Sequence, residues 1–289
     1  LGAAIKILAD VALYRIRKRE MANLAAAATI MAALHLAWDE IAVRLGFGIL
    51  LNLLAYLTND YCDVDEDLQS PTKDHEKARF LKQHMRAALV LQIVLAVLLA
   101  AVGLLWSRGL IVALVAGAGL CWLYSARLKS VPIADVASMA VWGAAMPMVA
   151  FPLDSLLGWC LVAQLAMFSA CFETIQVIRD HGDDSASGTR TTAVLLGIRR
   201  TLLLERLLMV LSAAYAVLVI NRWVGLALLV APLLPFEKGQ EEGYWNRVRM
   251  VQGLAWLAMV GWVVWSGATM GLVASIDRSQ LVEWLALVR

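Results

Sequence analysis

The chain has 289 residues, 61% of them hydrophobic, and its 25 Lys and Arg against 23 Asp and Glu leave a net charge of +2. Soluble domains hold about 45–50% apolar residues, so composition argues against a soluble fold. The near-neutral charge offers no general attraction for nucleic acid. Four widely spaced cysteines without a CxxC pair give no reason to expect a structural disulfide or a zinc site.

The first stretch, LGAAIKILADVALYRIRKRE, lacks a signal-peptide pattern. It predicts an amphipathic, basic lead-in helix over 1–19 lying on a membrane surface. A spanning helix needs about 20 apolar residues. On that basis spans are predicted near 20–37, 41–60, 84–106, 109–126, 134–152, 155–178, 201–221, 223–236 and 250–274. The eighth is short and holds Pro232 and Pro235, so a broken or tilted helix is expected there. Residues 276–289 read as an interfacial tail helix. The expected fold is all-α: one polytopic membrane domain over 1–289, with about nine transmembrane helices.

The spans sort the charges. Twenty Lys and Arg fall on the side of the N-terminus, and only Arg44, Arg108, Arg222, Arg278 and Arg289 fall on the other. The positive-inside rule then places the N-terminus in the cytoplasm.

The second span runs into NDYCDVDED, residues 59–67, on that same side. Five carboxylates within eight residues repel one another and resist desolvation. If the helix continues, Asn59, Asp63 and Asp67 stack at i, i+4 and i+8, with Asp60 and Asp65 flanking. Such a row of oxygen ligands suits Mg²⁺ shared with substrate phosphates. Other readings are a solvated acidic loop, or a cation relay in a transporter. An EF-hand fails, because its turn position holds Leu68 and its twelfth position Asp74.

The fourth span exits through CWLYSARLKSVPIAD. There Lys129, beyond Tyr124, can reach a phosphate oxygen as a point charge. The sixth span ends in CFETIQVIRDHGDDSASGTRTTAVLLG. Glu173, Gln176, Asp180 and Asp184 fall on one helical face. The turn behind them, with Gly188 and Arg190, can offer backbone N–H groups and a cation to an anion. His181 is a candidate base. Both acidic rows sit at ends of even-numbered spans on the same side, so they can face each other across a bundle.

Together these three segments resemble the UbiA superfamily of intramembrane prenyltransferases. Its first motif, NDxxDxxxD, is met by Asn59, Asp60, Asp63 and Asp67. Its DxxxD motif with a following GxRT-like turn is met by Asp180, Asp184, Gly188, Arg190 and Thr191. Its tyrosine–lysine loop is met by Tyr124 and Lys129. The resemblance implies nine helices around a central cavity. It also implies two Mg²⁺ ions held by the Asp-rich motifs (Asn59, Asp60, Asp63, Asp67, Asp180 and Asp184), with a polyprenyl diphosphate between them. Lys129, Arg190, Asn59, Lys73, Lys77 and Arg79 would bind the diphosphate. Asp63, Asp180, Lys129 and Tyr124 would be catalytic, and the prenyl tail would run toward lipid.

Two places depart from the family pattern. Phe80 stands where many members have proline. Gln176 and Val177 stand where many have Asn-Asp, with an acid earlier as Glu173; this marks Glu173 and Gln176 as the acceptor side. The expected partners are a polyprenyl diphosphate, a lipophilic acceptor of aromatic or quinone-precursor type, and the bilayer. A carotenoid or terpenoid, a glycerol phosphate, a polyprenyl phosphate or an internal cyclisation are alternative outcomes on the same scaffold.

Overall fold

The computed structural model describes residues 2–17, 21–69, 74–273 and 276. The expected tail helix, apart from Ile276, lies outside the described residues. The elements in chain order are α1 (Gly2–Arg17), α2 (Ala22–Ala33), α3 (Trp38–Asp67), α4 (His75–Gln83), α5 (Met85–Trp106), α6 (Arg108–Ala126), α7 (Ala134–Ala145), α8 (Leu156–Arg179), α9 (His181–Ser187), α10 (Thr192–Leu196), α11 (Ile198–Tyr215), α12 (Arg222–Leu228) and α13 (Glu241–Ser266).

Among the described residues, six helices are long and apolar enough to cross a membrane: α3, α5, α6, α8, α11 with the π-helical turn behind it, and α13. Three shorter apolar segments, Ala22–Ala33, Ala134–Ala150 and Arg222–Leu233, fall where the other three spans are predicted. The eighth breaks as expected, since α12 gives way to a 3-10 turn at Ala231–Leu233 that holds Pro232, whose ring cannot continue a helix. Prediction placed the last span too late. EEGYWNRVR is polar enough to read as a loop, yet it forms the first turns of α13, with Glu241 and Glu242 at the N-terminus, where the helix dipole favours acids.

α3 has 30 residues, which at 1.5 Å per residue is about 45 Å of helix. That exceeds a bilayer core of about 30 Å, so its acidic last turns stand beyond the apolar part. The ends of α6 and α8 share that side. At the other end stand exposed tryptophans: Trp38 and Trp223 at the starts of α3 and α12, Trp159 near the start of α8, and Trp106 and Trp265 at the ends of α5 and α13. Indole rings settle at the membrane–water boundary in this way.

α3 packs on α2, α5 and α6, α8 packs on α7, α11 and α13, and contacts of α6 with α7 and of α2 with α13 join the two groups. The largest buried cluster (Phe47, Leu51, Leu110, Phe151, Leu157, Val263 among others) fills the tryptophan end of the bundle. α1 buries Ile7 and Val11 and leaves Ile5, Leu13 and Ile16 exposed, as a surface helix does. A buried polar pair joins α11 to α13, where Tyr244 Oη donates to Glu205 Oε1 and Oε2 at 3.2 and 3.0 Å.

The α7–α8 contact depends on Gly143. A Cβ there would stand 2.3 Å from Ser169 Cβ and 3.1 Å from the Leu165 carbonyl. Ser169 Oγ donates to the Met139 carbonyl across the same contact at 2.6 Å. Small residues permit such close approach where lipid removes the hydrophobic drive between helices. Gly143→Leu should therefore lower stability by about 1–3 kcal/mol, read as a lowered thermal midpoint in detergent. Gly119→Ala, whose Cβ meets nothing within 4 Å, should leave that midpoint unchanged.

Candidate active site

The first acidic helix divides its ligands between two faces. Asn59 and Asp63 turn toward α6. Asn59 Nδ2 donates to Asp63 Oδ2 at 3.2 Å, and Ser125 Oγ donates to Asn59 Oδ1 at 3.2 Å. Asp63 is 9% exposed. Asp60 turns instead toward α1 and α4, where Arg15 Nη2 stands 2.7 Å from one oxygen and Lys77 Nζ 2.6 Å from the other. Asp67 lines the cleft of this second cluster with Tyr14, Arg15 and Lys77.

The predicted row Asn59–Asp63–Asp67 is therefore not one stripe. Each i, i+4 step advances about 40° around a 3.6-residue helix. Two steps carry Asp67 about 80° away from Asn59 and to within about 20° of Asp60. Arg15 also lies over the Tyr56 ring at 4.4 Å and Lys77 over Tyr14 at 4.2 Å. The Tyr56 ring thus already carries a cation.

Lys129 follows α6 in the 3-10 turn Leu128–Ser130. Its Nζ lies 2.8 Å from Glu66 Oε2 and 3.4 Å from Asp63 Oδ2. Burial alone would lower its pKa, but Asp63 and Glu66 outweigh that, so the ammonium is held above the ordinary lysine value.

The second row bends where a continuous helix was expected. α8 ends at Arg179, and Asp180, at φ −87° and ψ 0°, joins it to α9. The Asp184 N–H still donates to the Asp180 carbonyl at 2.9 Å, which keeps the two acids one turn apart. Arg179 forks onto Asp180 at 2.7 and 3.0 Å. The Asp184 carboxyl is pushed up, first by burial and also by Asp180, while Thr191 and the charge of Lys129 pull it back. The single ammonium of Lys129 is thus bonded to the first acidic helix and felt by the second.

Gly188 closes α9 at φ 76°, a conformation glycine adopts at little cost. The turn offers less to an anion than the sequence suggested, because the Thr189 N–H is taken by the Asp184 carbonyl. Arg190 and Arg79 are exposed. Lys77 is engaged by Asp60, and Lys73 lies outside the described residues.

Asp135 has a role the sequence did not reveal. Fully buried at the start of α7, it accepts from Thr192 N at 2.6 Å, from Val136 N at 2.8 Å and from Thr192 Oγ1. It staples the lysine loop to the turn behind the second acidic row. Ile133, just before it, holds φ 71°, a strained value for a β-branched residue. The only sequence signal was an acid beside VPI, which does not point to a partner 57 residues away.

About two turns inside the membrane from Asp180, Tyr124 Oη donates to Glu173 Oε1 at 3.1 Å, and Gln176 Nε2 donates to Glu173 Oε2 at 3.3 Å. Tyr124 therefore meets Glu173, which Gln176 also contacts.

The candidate ligands Asn59, Asp63, Asp180 and Asp184 all offer oxygen donors. Among the described residues no three Asp, Glu, His or Cys side chains converge as a closed metal cage. Oxygen donors fit Mg²⁺, which takes one or two carboxylates and completes its shell from phosphates and water.

The UbiA prenyltransferase family model matches residues 21–237. No curated protein sequence matches the chain. Among solved structures, a UbiA homolog from Archaeoglobus fulgidus bound to GPP and Mg²⁺ superposes with a TM-score of 0.63 at 15% identity, covering 91% of this chain and 99% of that one. The same homolog bound to DMAPP and Mg²⁺ gives 0.64 at 15% identity, covering 85% and 96%. A digeranylgeranylglyceryl phosphate synthase gives 0.61 at 13% identity, covering 90% and 99%.

Two outcomes follow from the geometry. Asp135→Ala should cost about 3 kcal/mol or more, since it orphans buried donors of the Thr192 staple; thermal unfolding measures this, and Asp135→Asn should cost less. The Lys129 contribution has a definite pH window. Its folded value lies above the ordinary 10.5, so its stabilisation is complete below pH 10.5 and is lost as pH rises through the folded value. The stability difference between wild type and Lys129→Met should stay flat through neutral pH and shrink only in strong alkali.

Proposed function

Since the chain belongs to the UbiA prenyltransferase family, we propose that this prenyltransferase moves a prenyl group from a polyprenyl diphosphate to a lipophilic acceptor in a Mg²⁺-dependent reaction within the membrane. The observation that carries this reading is the position of Lys129, bonded to Asp63 and Glu66 while its charge also acts on Asp184. A diphosphate is a bridging ligand suited to two acidic helix ends with a lysine bonded to one of them.

Asp63 with Asn59 would hold one Mg²⁺ ion, and Asp180 with Asp184 a second. Bound Mg²⁺ supplies neutralisation of the charge that gathers on the leaving oxygens. Lys129 adds a positive charge to the same place, and Arg190 stands ready at the exposed rim. Asp60 and Asp67 belong on this reading to the Arg15–Lys77 cluster, which fixes α1 and α4 over α3. That cluster also takes Lys77 out of the diphosphate set.

The allylic carbon must be kept from water once the C–O bond breaks, and the apolar cluster that fills the far end of the bundle supports this. The acceptor is proposed to be aromatic or a quinone precursor, reaching the carbon from the side of Tyr124, Glu173 and Gln176. The charge bias supports a cytoplasmic position for the acidic mouth and the N-terminus. A transporter relay would set its acids near mid-membrane, whereas these stand at helix ends.

Purified protein in nanodiscs, given Mg²⁺ and labelled prenyl diphosphates of several lengths with an acceptor panel, should yield prenylated product by mass spectrometry. EDTA should stop the reaction and Mg²⁺ restore it. Asp63→Asn and Asp180→Asn should each reduce turnover by about 10²-fold or more, with the fold retained. Asp65→Asn, which only breaks a surface pair with Lys82, should turn over normally. Full turnover in both of the first two variants would overturn the reading.

A further inference from the structure

Glu173 is a carboxylate that diphosphate departure leaves unused. It is 5% exposed and seven residues before Asp180, about 10 Å along α8 at 1.5 Å per residue. It therefore lies deeper in the membrane than the acidic rows, on the side where the allylic carbon must enter. Tyr124 from α6 and Gln176 from α8 both donate to it, one to each oxygen. Both are neutral, and among the described residues no Lys, Arg or His forms an ion pair with it. Both oxygens thus face neutral donors, and each keeps room for a further hydrogen bond. His181, the base the sequence suggested, is the first residue of α9 and sits between Asp180 and Asp184.

Resting on the prenyl-transfer reading above, we propose that Glu173 is the catalytic proton acceptor for the nucleophile, which is an acceptor molecule carrying a proton at or conjugated to its attacking atom, such as a phenol or hydroxyarene. The allylic C–O bond breaks and its electron pair leaves with diphosphate. An electron pair of the acceptor forms the new bond to the allylic carbon. The proton that the acceptor then sheds passes to a Glu173 oxygen, and the electrons of its former bond restore the acceptor. No oxidant or reductant is involved. Tyr124 and Gln176 are positioning residues that fix the carboxylate plane.

The test separates the two halves of the reaction. Wild-type protein and Glu173→Gln, in nanodiscs with Mg²⁺, geranyl diphosphate and a panel of hydroxyarenes, are assayed for diphosphate release, prenylated product and geranyl diphosphate affinity. The variant keeps the side-chain shape and an oxygen for Tyr124. Its product formation should fall by about 10²–10⁴-fold, while affinity and diphosphate release stay within about threefold of wild type and the prenyl group emerges as its alcohol. That last ratio is a selectivity a purely structural role would not give. Product formation within threefold of wild type overturns the assignment, and so does a parallel loss of affinity, release and product. If Glu173→Gln does not fold, Glu173→Asp, which withdraws the carboxylate by one methylene, should show the same split with a loss of about 10²-fold. Absence of Mg²⁺-dependent diphosphate release by wild type with any prenyl diphosphate would sink the prenyl-transfer reading itself. Release by wild type with unimpaired product in the variants would sink only the role of Glu173.

Discussion

Crowded carboxylates at the ends of buried helices are stable only when something offsets their mutual repulsion, and this constraint arranges the acidic half of the molecule. Each acid near the membrane boundary has a different answer to it. Asp60 is compensated by Arg15 and Lys77 from two other helices, Asp180 by its neighbour Arg179, and Asp63 with Glu66 by Lys129. The lysine therefore carries more than its own helix end. It lies in a loop between α6 and α7, and it is held against α3 while remaining within electrostatic reach of Asp184 behind α8. Its ion pairs are with the first acidic row, and its charge also lowers the pKa of Asp184 in the second.

That coupling needs the loops to be fixed, since a lysine stem is long and flexible. Asp135 supplies the fixation from beneath by bonding the backbone and hydroxyl of Thr192, and Ser125 bonds Asn59 from the last turn of α6. Strain at Ile133 is held in place by the same staple. Charge compensation above and a neutral hydrogen-bonded layer of Tyr124, Glu173 and Gln176 below give a graded polarity along the inner end of the bundle. The charged layer suits a polyanion, and the neutral layer suits a less polar partner.

The opposite end does the mechanical work. Side chains such as Phe151, Leu157 and Leu161 are fully buried there, and close approach at Gly143 locks α7 to α8. Because that end is dry and tightly packed, the acidic end can hold charged and irregular structure without opening the membrane-spanning part to water.

Sequence alone determined the class of fold, the position of most spans and the residue types at the acidic ends. Length of apolar run, proline placement and Lys/Arg asymmetry are local quantities, and they need no knowledge of neighbours. The i, i+4 spacing correctly brought Asn59 beside Asp63, because one step of 40° keeps two side chains in reach. What only the tertiary structure decided is which face of a helix meets which partner. Asp60 and Asp67 look equivalent to Asp63 in NDYCDVDED, but α1 and α4 pack on their side of α3 and α6 on the other. Asp135 was a single letter, and Glu173 a position on a helical face without a partner from another helix, until chain segments 57 and 49 residues away were brought onto them. Pairing across such distances is set by the packing of whole helices, and no local pattern encodes it.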